Sequence, residues 1–500
     1  MNAYVPPPEN ARGLILNAQN LSKISNGTLA EPMRVSQPRV IAAVLIYDLL
    51  AVTTAGVHSA VFSNYTSNSS LWGPFAAGLT VAVAVIAALQ WRYAYTIPAL
   101  GKATRQIAES GLFLFVALAG FVFAAFMLAH ENATMRPWIA QWFMTGWLAL
   151  SLSRLVCGLL VSHWKREGRL MRRAVVAGGG RAAADLIASL DRTAKDTIRI
   201  LGLFDDRGAD RSPEVVGPYK KLGQFEDLVK FCRDENVDLI IISLPPVAED
   251  RVLHLLRKLW VLPIDIRISA HASKLKLRAR AYNYIGDVPF LPLFDRPMSD
   301  WSIAMKAIED RVIAALALVL LSPIFAIIAM MIKRDSRGPV FFRQTRHGFN
   351  NEPIQVYKFR SMYTDQSDAK AAKLVTKDDP RVTRIGRFIR KTSIDELPQL
   401  INVLRGELSL VGPRPHAMQA KAGGQTYDAA VEGYFARHRV KPGITGWAQI
   451  HGWRGETDTL EKLEQRVQHD LHYIDNWSLW LDLYILFKTP LSLLNTKNAY

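Results

Sequence analysis

Arg311-Val312-Ile-Ala-Ala-Leu-Ala-Leu-Val-Leu-Leu-Ser322-Pro323-Ile-Phe-Ala-Ile-Ile-Ala-Met-Met-Ile332-Lys333-Arg334 is an unbroken apolar run with a proline at its middle and cations at both ends. Residues 312–332 reach the ~20 residues that a membrane-spanning helix needs. Spanning would separate the two ends, yet Arg311 on one side and Lys333, Arg334 and Arg337 on the other both favour the cytoplasmic face. Proline removes a backbone donor and crowds the preceding turn, and the Ser322 hydroxyl stands next to the carbonyl this frees. A re-entrant hairpin over 312–332 is therefore expected, broken at Ser322 and Pro323, entering one leaflet and returning. A fifth spanning helix with an ordinary proline kink is the alternative.

Four further apolar runs precede it, at 40–62, 74–90, 111–129 and 138–161. The connection after the first, Asn64-Tyr-Thr-Ser-Asn-Ser-Ser, is uncharged, whereas Arg92, Lys102 and Arg105 follow the second, and Lys165, Arg166, Arg169, Arg172 and Arg173 follow the fourth. Positive-inside counting predicts four spans over 40–163 with both ends in the cytoplasm. Asp48 and Arg154 lie inside these runs and are expected to form a mutual structural pair or to snorkel to a membrane face. The chain has 61 Lys and Arg against 44 Asp and Glu, a net charge of +17, and half of its 500 residues are apolar. With the apolar half gathered into runs, this describes a membrane protein with basic cytoplasmic faces and argues against a nucleic-acid binder. Two cysteines, Cys157 and Cys232, exclude a disulfide framework and a cysteine zinc site. Residues 1–39 lack a signal-peptide pattern and read as a flexible cytoplasmic tail.

Residues 172–270 read as an α/β, Rossmann-like unit. The strand Arg173-Ala-Val-Val-Ala enters Gly178-Gly-Gly180 and a helix, and Ile200-Leu-Gly-Leu-Phe-Asp205 ends a second strand in an acid. These glycines fit a dinucleotide fingerprint, or equally glycines that permit close helix packing. A linker over 271–300 leads to Trp301, Ala304, Met305, Ile308 and Val312, whose helical spacing describes a helix at a membrane surface. Trp477 to Phe487, with Asp482 inside it, is either an interfacial helix or one packed in the core.

The chemistry gathers between Arg387 and Pro415. Asp395 and Glu396 are adjacent, with Arg387, Arg390 and Lys391 before them and Arg405 and Arg414 after. Guanidinium groups match phosphate oxygens bidentately, a carboxylate can act as nucleophile, and its neighbour can hold a divalent metal. A surface ion-pair network is the plain alternative. His347, His416, His438 and His451 lack metal-ligand spacing on one element and are expected to be structural.

The motifs Gly338-Pro-Val-Phe-Phe-Arg-Gln344-Thr-Arg346-His-Gly348, Tyr357-Lys358-Phe-Arg360-Ser-Met362, Asp395-Glu396-Leu-Pro-Gln, Gly412-Pro-Arg414-Pro and Lys441-Pro-Gly-Ile-Thr-Gly446-Trp-Ala-Gln449 occur in that order. Together they resemble the bacterial sugar transferase family, the polyprenyl-phosphate hexose-1-phosphate transferases that start exopolysaccharide and O-antigen assembly. The resemblance is dense over 296–500, and the spans and Rossmann-like middle resemble its larger members. It implies an inner-membrane phosphoglycosyl transferase, with an α/β monotopic catalytic domain over 301–500 on the cytoplasmic face. It implies Asp395 as nucleophile on a UDP-hexose, releasing UMP and leaving a phosphosugar on the enzyme for undecaprenyl phosphate to collect. Glu396 would then be the Mg²⁺ ligand, with Arg390 and Arg414 at the phosphates. Lys358 and Arg360 either touch phosphate, order the active-site floor or form a solvated basic face, and Thr445, Trp447 and Gln449 either frame the uridine diphosphate or form a Gly-Pro turn with a packed tryptophan. Gly452-Trp453-Arg454-Gly-Glu456-Thr-Asp458 is similar to members that transfer glucose 1-phosphate, with UDP-galactose the alternative donor. A homodimer in contact with membrane lipids is the family expectation. Asn350-Asn351 departs from the family's usual glycine and aromatic.

Two other readings compete. A nucleotide-sugar dehydratase or epimerase needs Tyr-x-x-x-Lys in the middle domain, where Tyr219 has Gly223 at that place. A non-catalytic membrane scaffold has no use for an acid pair set among arginines.

Overall fold

The computed structural model describes residues 34–494 apart from 66–69, 129–133, 209–212, 245–248, 271–282, 365–378, 417–420, 423–424, 432, 454 and 456–458. The chain forms two compact units. One comprises residues 32–170 with 298–308, and the other residues 171–297 with the chain from 309 onward. Most of the expected N-terminal tail lies outside the described residues.

Five helices are long and apolar enough to cross a membrane: Gln37–Phe62, Trp72–Trp91, Ala103–Met127, Met135–Arg166 and Asp300–Asp335. The protein is a membrane protein. In the first unit some polar groups inside the apolar helices pair with one another. Arg154 Nη2 donates to Asp48 Oδ2 at 2.5 Å, Tyr95 Oη donates to the same oxygen at 2.7 Å, and both charged side chains are fully buried. Trp138 and Trp142 stack and donate to the Gly56 and Val52 carbonyls at 2.8 and 2.9 Å. The expected Asp48–Arg154 pair is thus present and structural. Trp301, Ala304, Met305 and Ile308 pack into this bundle's core, so the expected surface helix is instead the start of the helix Asp300–Asp335. Nothing between Ile308 and Val312 breaks helical geometry, and the two segments run on as one.

That helix also continues through Pro323. Proline at 323 cannot donate to the Val319 carbonyl four residues earlier, and Ser322 Oγ takes its place at 2.8 Å. The expected break is therefore a missing donor inside a continuous helix. Between Asp310 and Ile332 a straight helix would rise ~33 Å. Both regions are tied to the same α/β body. Asp310 Oδ1 accepts from Ser409 Oγ at 3.0 Å and from the Leu410 amide at 2.9 Å. At the far end Arg360 donates to the carbonyls of Ile332, Ser336 and Arg337, and Asp335 accepts from the Ile385 amide. Leu316, Val319, Leu320 and Ile327, between the ties, are exposed.

In the second unit, eight strands form one sheet: β1 Arg172–Ala177, β2 Ile198–Phe204, β3 Val215–Val216, β4 Tyr219–Gly223, β5 Leu239–Ile242, β6 Asp265–Ser269, β7 Asn283–Ile285 and β8 Val288–Phe294. Their order is β3-β4-β2-β1-β5-β6-β8-β7, parallel from β4 to β6. β5 is buried throughout and β1 from Ala174 onward, as strands covered on both faces should be. The expected linker 271–300 supplies β7 and β8, so the sheet extends to Phe294. Pro289 and Pro292 weaken a strand reading of Val288-Pro-Phe-Leu-Pro-Leu-Phe294, yet both are accommodated in β8.

Beyond the long helix, β9 Phe341–His347 and β10 Pro353–Phe359 form an antiparallel hairpin. Its turn places Asn350 and Asn351 at φ 54° and 64°, a left-handed conformation asparagine tolerates, which accounts for the Asn-Asn departure. Helices Arg384–Lys391, Gln399–Arg405, Leu460–Asp475 and Leu479–Leu494 and the parallel strands Ser409–Val411 and Gly443–Thr445 complete the unit. In the last helix Asp482 is buried and accepts from Tyr473 Oη and Trp477 Nε1, while Trp480 and Phe487 are exposed. It has one packed face and one apolar open face. The segment 433–439 meets the sheet region: the Arg233 guanidinium lies 5.5 Å from the Phe435 ring centroid, and Gly433, at φ +75°, lies against the Trp260 indole where a Cβ would not fit.

Candidate active site

Helix Arg384–Lys391 starts on a Thr383 cap, whose Oγ1 accepts from the Gly386 amide at 2.9 Å. Two residues after it ends, Ser393 sits at φ 57°, a conformation rare outside glycine and asparagine. The chain reverses there into a single 3₁₀ turn, Ile394–Glu396, and enters helix Gln399–Arg405. Asp395 and Glu396 are both on this turn.

The two carboxylates are treated differently. Arg414 grips Glu396 bidentately, Nη1 to Oε2 at 2.9 Å and Nη2 to Oε1 at 2.5 Å, and Lys358 Nζ, from β10, donates to Oε1 at 2.9 Å. Burial works against charge at Glu396, but Arg414 and then Lys358 outweigh it and hold its carboxyl well below the usual range. Asp395 is half-buried and accepts no hydrogen bond among the described residues. Burial, aided by neighbouring Glu396 and opposed chiefly by Lys358, pushes it up to about 6. Arg390 bears on Asp395 through its charge. One anion is thus locked in place and the other is open.

Behind Glu396 lies a shell that the sequence did not announce. Arg437, fully buried, donates to the Arg414 carbonyl at 2.8 Å, to Asp470 Oδ2 at 2.5 Å and to His416 Nδ1 at 2.6 Å. Arg466 donates to the Trp453 carbonyl at 2.5 Å and the Gly455 carbonyl at 3.0 Å. Arg346 donates to Gln344 Oε1 at 2.6 Å and to the Pro415 carbonyl at 3.4 Å. Burial pushes Arg346 and Arg466 down to about 10, and burial with the surrounding guanidinium groups keeps His416 neutral. Arg346 was visible in its motif. Arg437, Arg466 and Asp470 come from a 3₁₀ segment and a helix with no pattern linking them to the acid pair.

Of the expected site residues, the fold brings together Asp395, Glu396, Lys358, Arg390 and Arg414. Arg360 donates to the carbonyls closing the long helix, the arrangement of an ordering residue. Thr445 shares a hydrogen bond with Thr489 at 2.7 Å. The Trp447 ring lies 4.1 Å from the His451 ring, and Gln449 Oε1 is buried without a partner among the described residues. Arg454, Glu456 and Asp458 lie outside the described residues. No group of three or more His, Cys, Asp and Glu able to hold a metal occurs among the described residues.

A locked carboxylate beside an open one, backed by arginine in a chain with five apolar helices, defines a membrane enzyme suited to an anionic phosphate substrate. The bacterial sugar transferase family matches residues 301–496, and a CoA-binding domain matches residues 91–270. The chain is 37% identical over 407 residues to the UDP-glucose:undecaprenyl-phosphate glucose-1-phosphate transferase of Escherichia coli (strain K12), covering 80% of this chain and 84% of that protein. It is 44% identical over 333 residues to the undecaprenyl-phosphate glucose phosphotransferase of Komagataeibacter xylinus, covering 66% of this chain and 61% of that relative. The exopolysaccharide production protein PSS of Rhizobium leguminosarum bv. phaseoli is 47% identical over 198 residues, 40% of this chain and 99% of that protein. This chain belongs to the bacterial sugar transferase family and is a transferase.

Proposed function

We propose that the protein transfers glucose 1-phosphate from UDP-glucose to undecaprenyl phosphate at the cytoplasmic face of the bacterial inner membrane. The observation that carries the reading is the division of labour in the acid pair, with Glu396 immobilised by Arg414 and Lys358 and Asp395 left open. The names of the full-length relatives supply the donor and acceptor. An Asp395 oxygen attacks the β-phosphorus, the bond from that phosphorus to the bridging oxygen breaks, and UMP leaves with the electron pair. The phosphosugar is then an acyl phosphate on Asp395. An oxygen of the lipid phosphate attacks the same phosphorus, and the carboxylate departs unchanged. Arg390 and Arg414 offset charge at the phosphates in both steps. The hard oxygens of the pair suit Mg²⁺, which would take Glu396 and diphosphate oxygens as ligands and neutralise charge on the leaving UMP. With no larger acidic or histidine cluster described, water and substrate would complete its coordination.

The protein's topology follows from the same reading. Four helices span the membrane, and Asp300–Asp335 enters and returns, because Asp310 and Asp335 hold both its ends to one catalytic body. Reporter fusions at residue 36 and residue 494 should both register cytoplasmic. Opposite readings would replace the re-entrant helix with a spanning one.

Asp395 must be ionised to attack. With its carboxyl at about 6, single-turnover UMP release should climb between pH 5 and 7, and at pH 5 stand roughly tenfold below its plateau. Lys358→Met removes the largest favourable charge on Asp395 and should move this limb to higher pH. A limb that stays put would take Lys358 out of this role. The direct test of the function is UMP release from UDP-glucose by detergent-solubilised protein with Mg²⁺, with and without undecaprenyl phosphate. Lipid-dependent release supports the transfer, UDP-galactose run beside it decides the sugar, and no release from either donor overturns the reading.

A further inference from the structure

The sheet domain carries charge that the chemistry above does not use. β1 and β6 run parallel with β5 between them and begin at Arg172 and Asp265. Both residues therefore stand at the amino end of the strands, the end opposite the glycine turn at residues 178–180. Arg172 Nη2 donates to Asp265 Oδ2 and, at 3.3 Å, to the Asp238 carbonyl. Asp265 Oδ1 accepts from the Arg296 amide at 2.9 Å, and Arg296 Nε lies 3.7 Å from the same oxygen. One carboxylate thus serves two arginines.

A third arginine stands beside them. In β6, Ile266 packs into the core on one face of the sheet, which turns Asp265 and Arg267 to the other. The Arg267 side chain has no hydrogen bond or ion pair among the described residues, and its Nε is buried without an acceptor there. The residue as a whole is only half-buried, so an ion from solvent can reach it. Burial first, and then the Arg172 charge, push the Arg267 guanidinium below its ordinary value; Arg296 adds to this, and Asp265 and Asp295 oppose it. Asp265 is already engaged by Arg172 and Arg296. A planar guanidinium in such surroundings is matched by a phosphate, which offers two oxygens to its fork and charge to all three arginines.

The sequence points to the source of that phosphate. Lys165, Arg166, Arg169, Arg172 and Arg173 follow the fourth apolar run within nine residues, and cations gathered directly after a membrane helix mark where a chain meets anionic headgroups. Arg169 and Arg173 are paired with Glu167 and Glu235, and Arg172 with Asp265. Arg267 adds to this basic region a cation with no acid bonded to it among the described residues.

We propose that Arg267, with Arg172 and Arg296 beside it, binds the phosphate of an anionic phospholipid and gives the sheet domain a lipid contact of its own. Native mass spectrometry of the detergent-solubilised full chain, titrated with phosphatidylglycerol or phosphatidylcholine, tests it. The first phosphatidylglycerol should bind Arg267→Gln at least about tenfold more weakly than the wild type, the worth of one charge-assisted bond. Phosphatidylcholine should bind both alike, and Arg267→Lys, which keeps the charge, should recover part of the loss. Lys230→Gln removes an exposed cation from the helix Phe225–Asp234, which packs on the opposite face of the sheet, and should bind phosphatidylglycerol as the wild type does. An unchanged circular dichroism spectrum shows that Arg267→Gln is folded. Phosphatidylglycerol binding unchanged in Arg267→Gln, or an equal loss in Lys230→Gln, overturns the proposal. So does release of the lipid from the wild type by excess inorganic phosphate, which would assign the site to a soluble phosphate and needs no variant.

Discussion

Asp395→Asn is expected to abolish lipid-dependent UMP release, by at least about 10³-fold, since the amide keeps the shape of the side chain and loses the nucleophile. Stability should move the other way. Folding raises the Asp395 carboxyl to about 6, so the group favours the folded state while protonated, below the ordinary carboxylate range. That contribution is lost as pH rises through about 6, and at pH 8 the ionised side chain is a burden that asparagine does not carry. The variant should therefore melt at or above the wild-type temperature at pH 8 while being inactive. Intact mass spectrometry after a short incubation with UDP-glucose should find a phosphohexose adduct on the wild-type chain and none on the variant. An active Asp395→Asn protein would remove the covalent route.

Arg437→Met is expected to lower stability by about 4 kcal/mol, the usual cost of stripping one partner from a buried ion pair. It leaves Asp470 without its main cation and the Arg414 carbonyl unpaired, and it takes from His416 one partner while Tyr434 Oη and Arg466 remain beside the ring. Because Arg414 holds Glu396, surviving protein should also turn over more slowly. Combining it with Asp470→Leu removes both charges together, and a double-mutant cycle should return roughly half of the lost stability. Additive losses would show that the two side chains act separately.

These two variants differ in how far their residues could be read beforehand. Asp395, Glu396, Lys358 and Arg414 sit in short motifs, and their residue types carry the chemistry. Ser322 and Pro323 were equally legible, because a missing donor and an adjacent hydroxyl are local facts; helix continuity was not, since it depends on that hydroxyl reaching Val319. The turn of Arg360 toward a helix end was not legible, because composition does not tell which cation near a basic strand takes that place. Arg437 and Asp470 stand 33 positions apart, and only the packed fold makes them neighbours. The strand β8 was hidden by Pro289 and Pro292.

The apposition of Gly433 and Phe435 to Trp260 and Arg233 bears on how such a chain can be shortened. A relative little longer than the transferase region exists. In this protein, though, the segment that carries Phe435 also carries Arg437. Excision at the start of the long helix would bare an aromatic ring and loosen the tether beneath Arg414. A shortened version should therefore express and fold better when residues 433–439 are resurfaced.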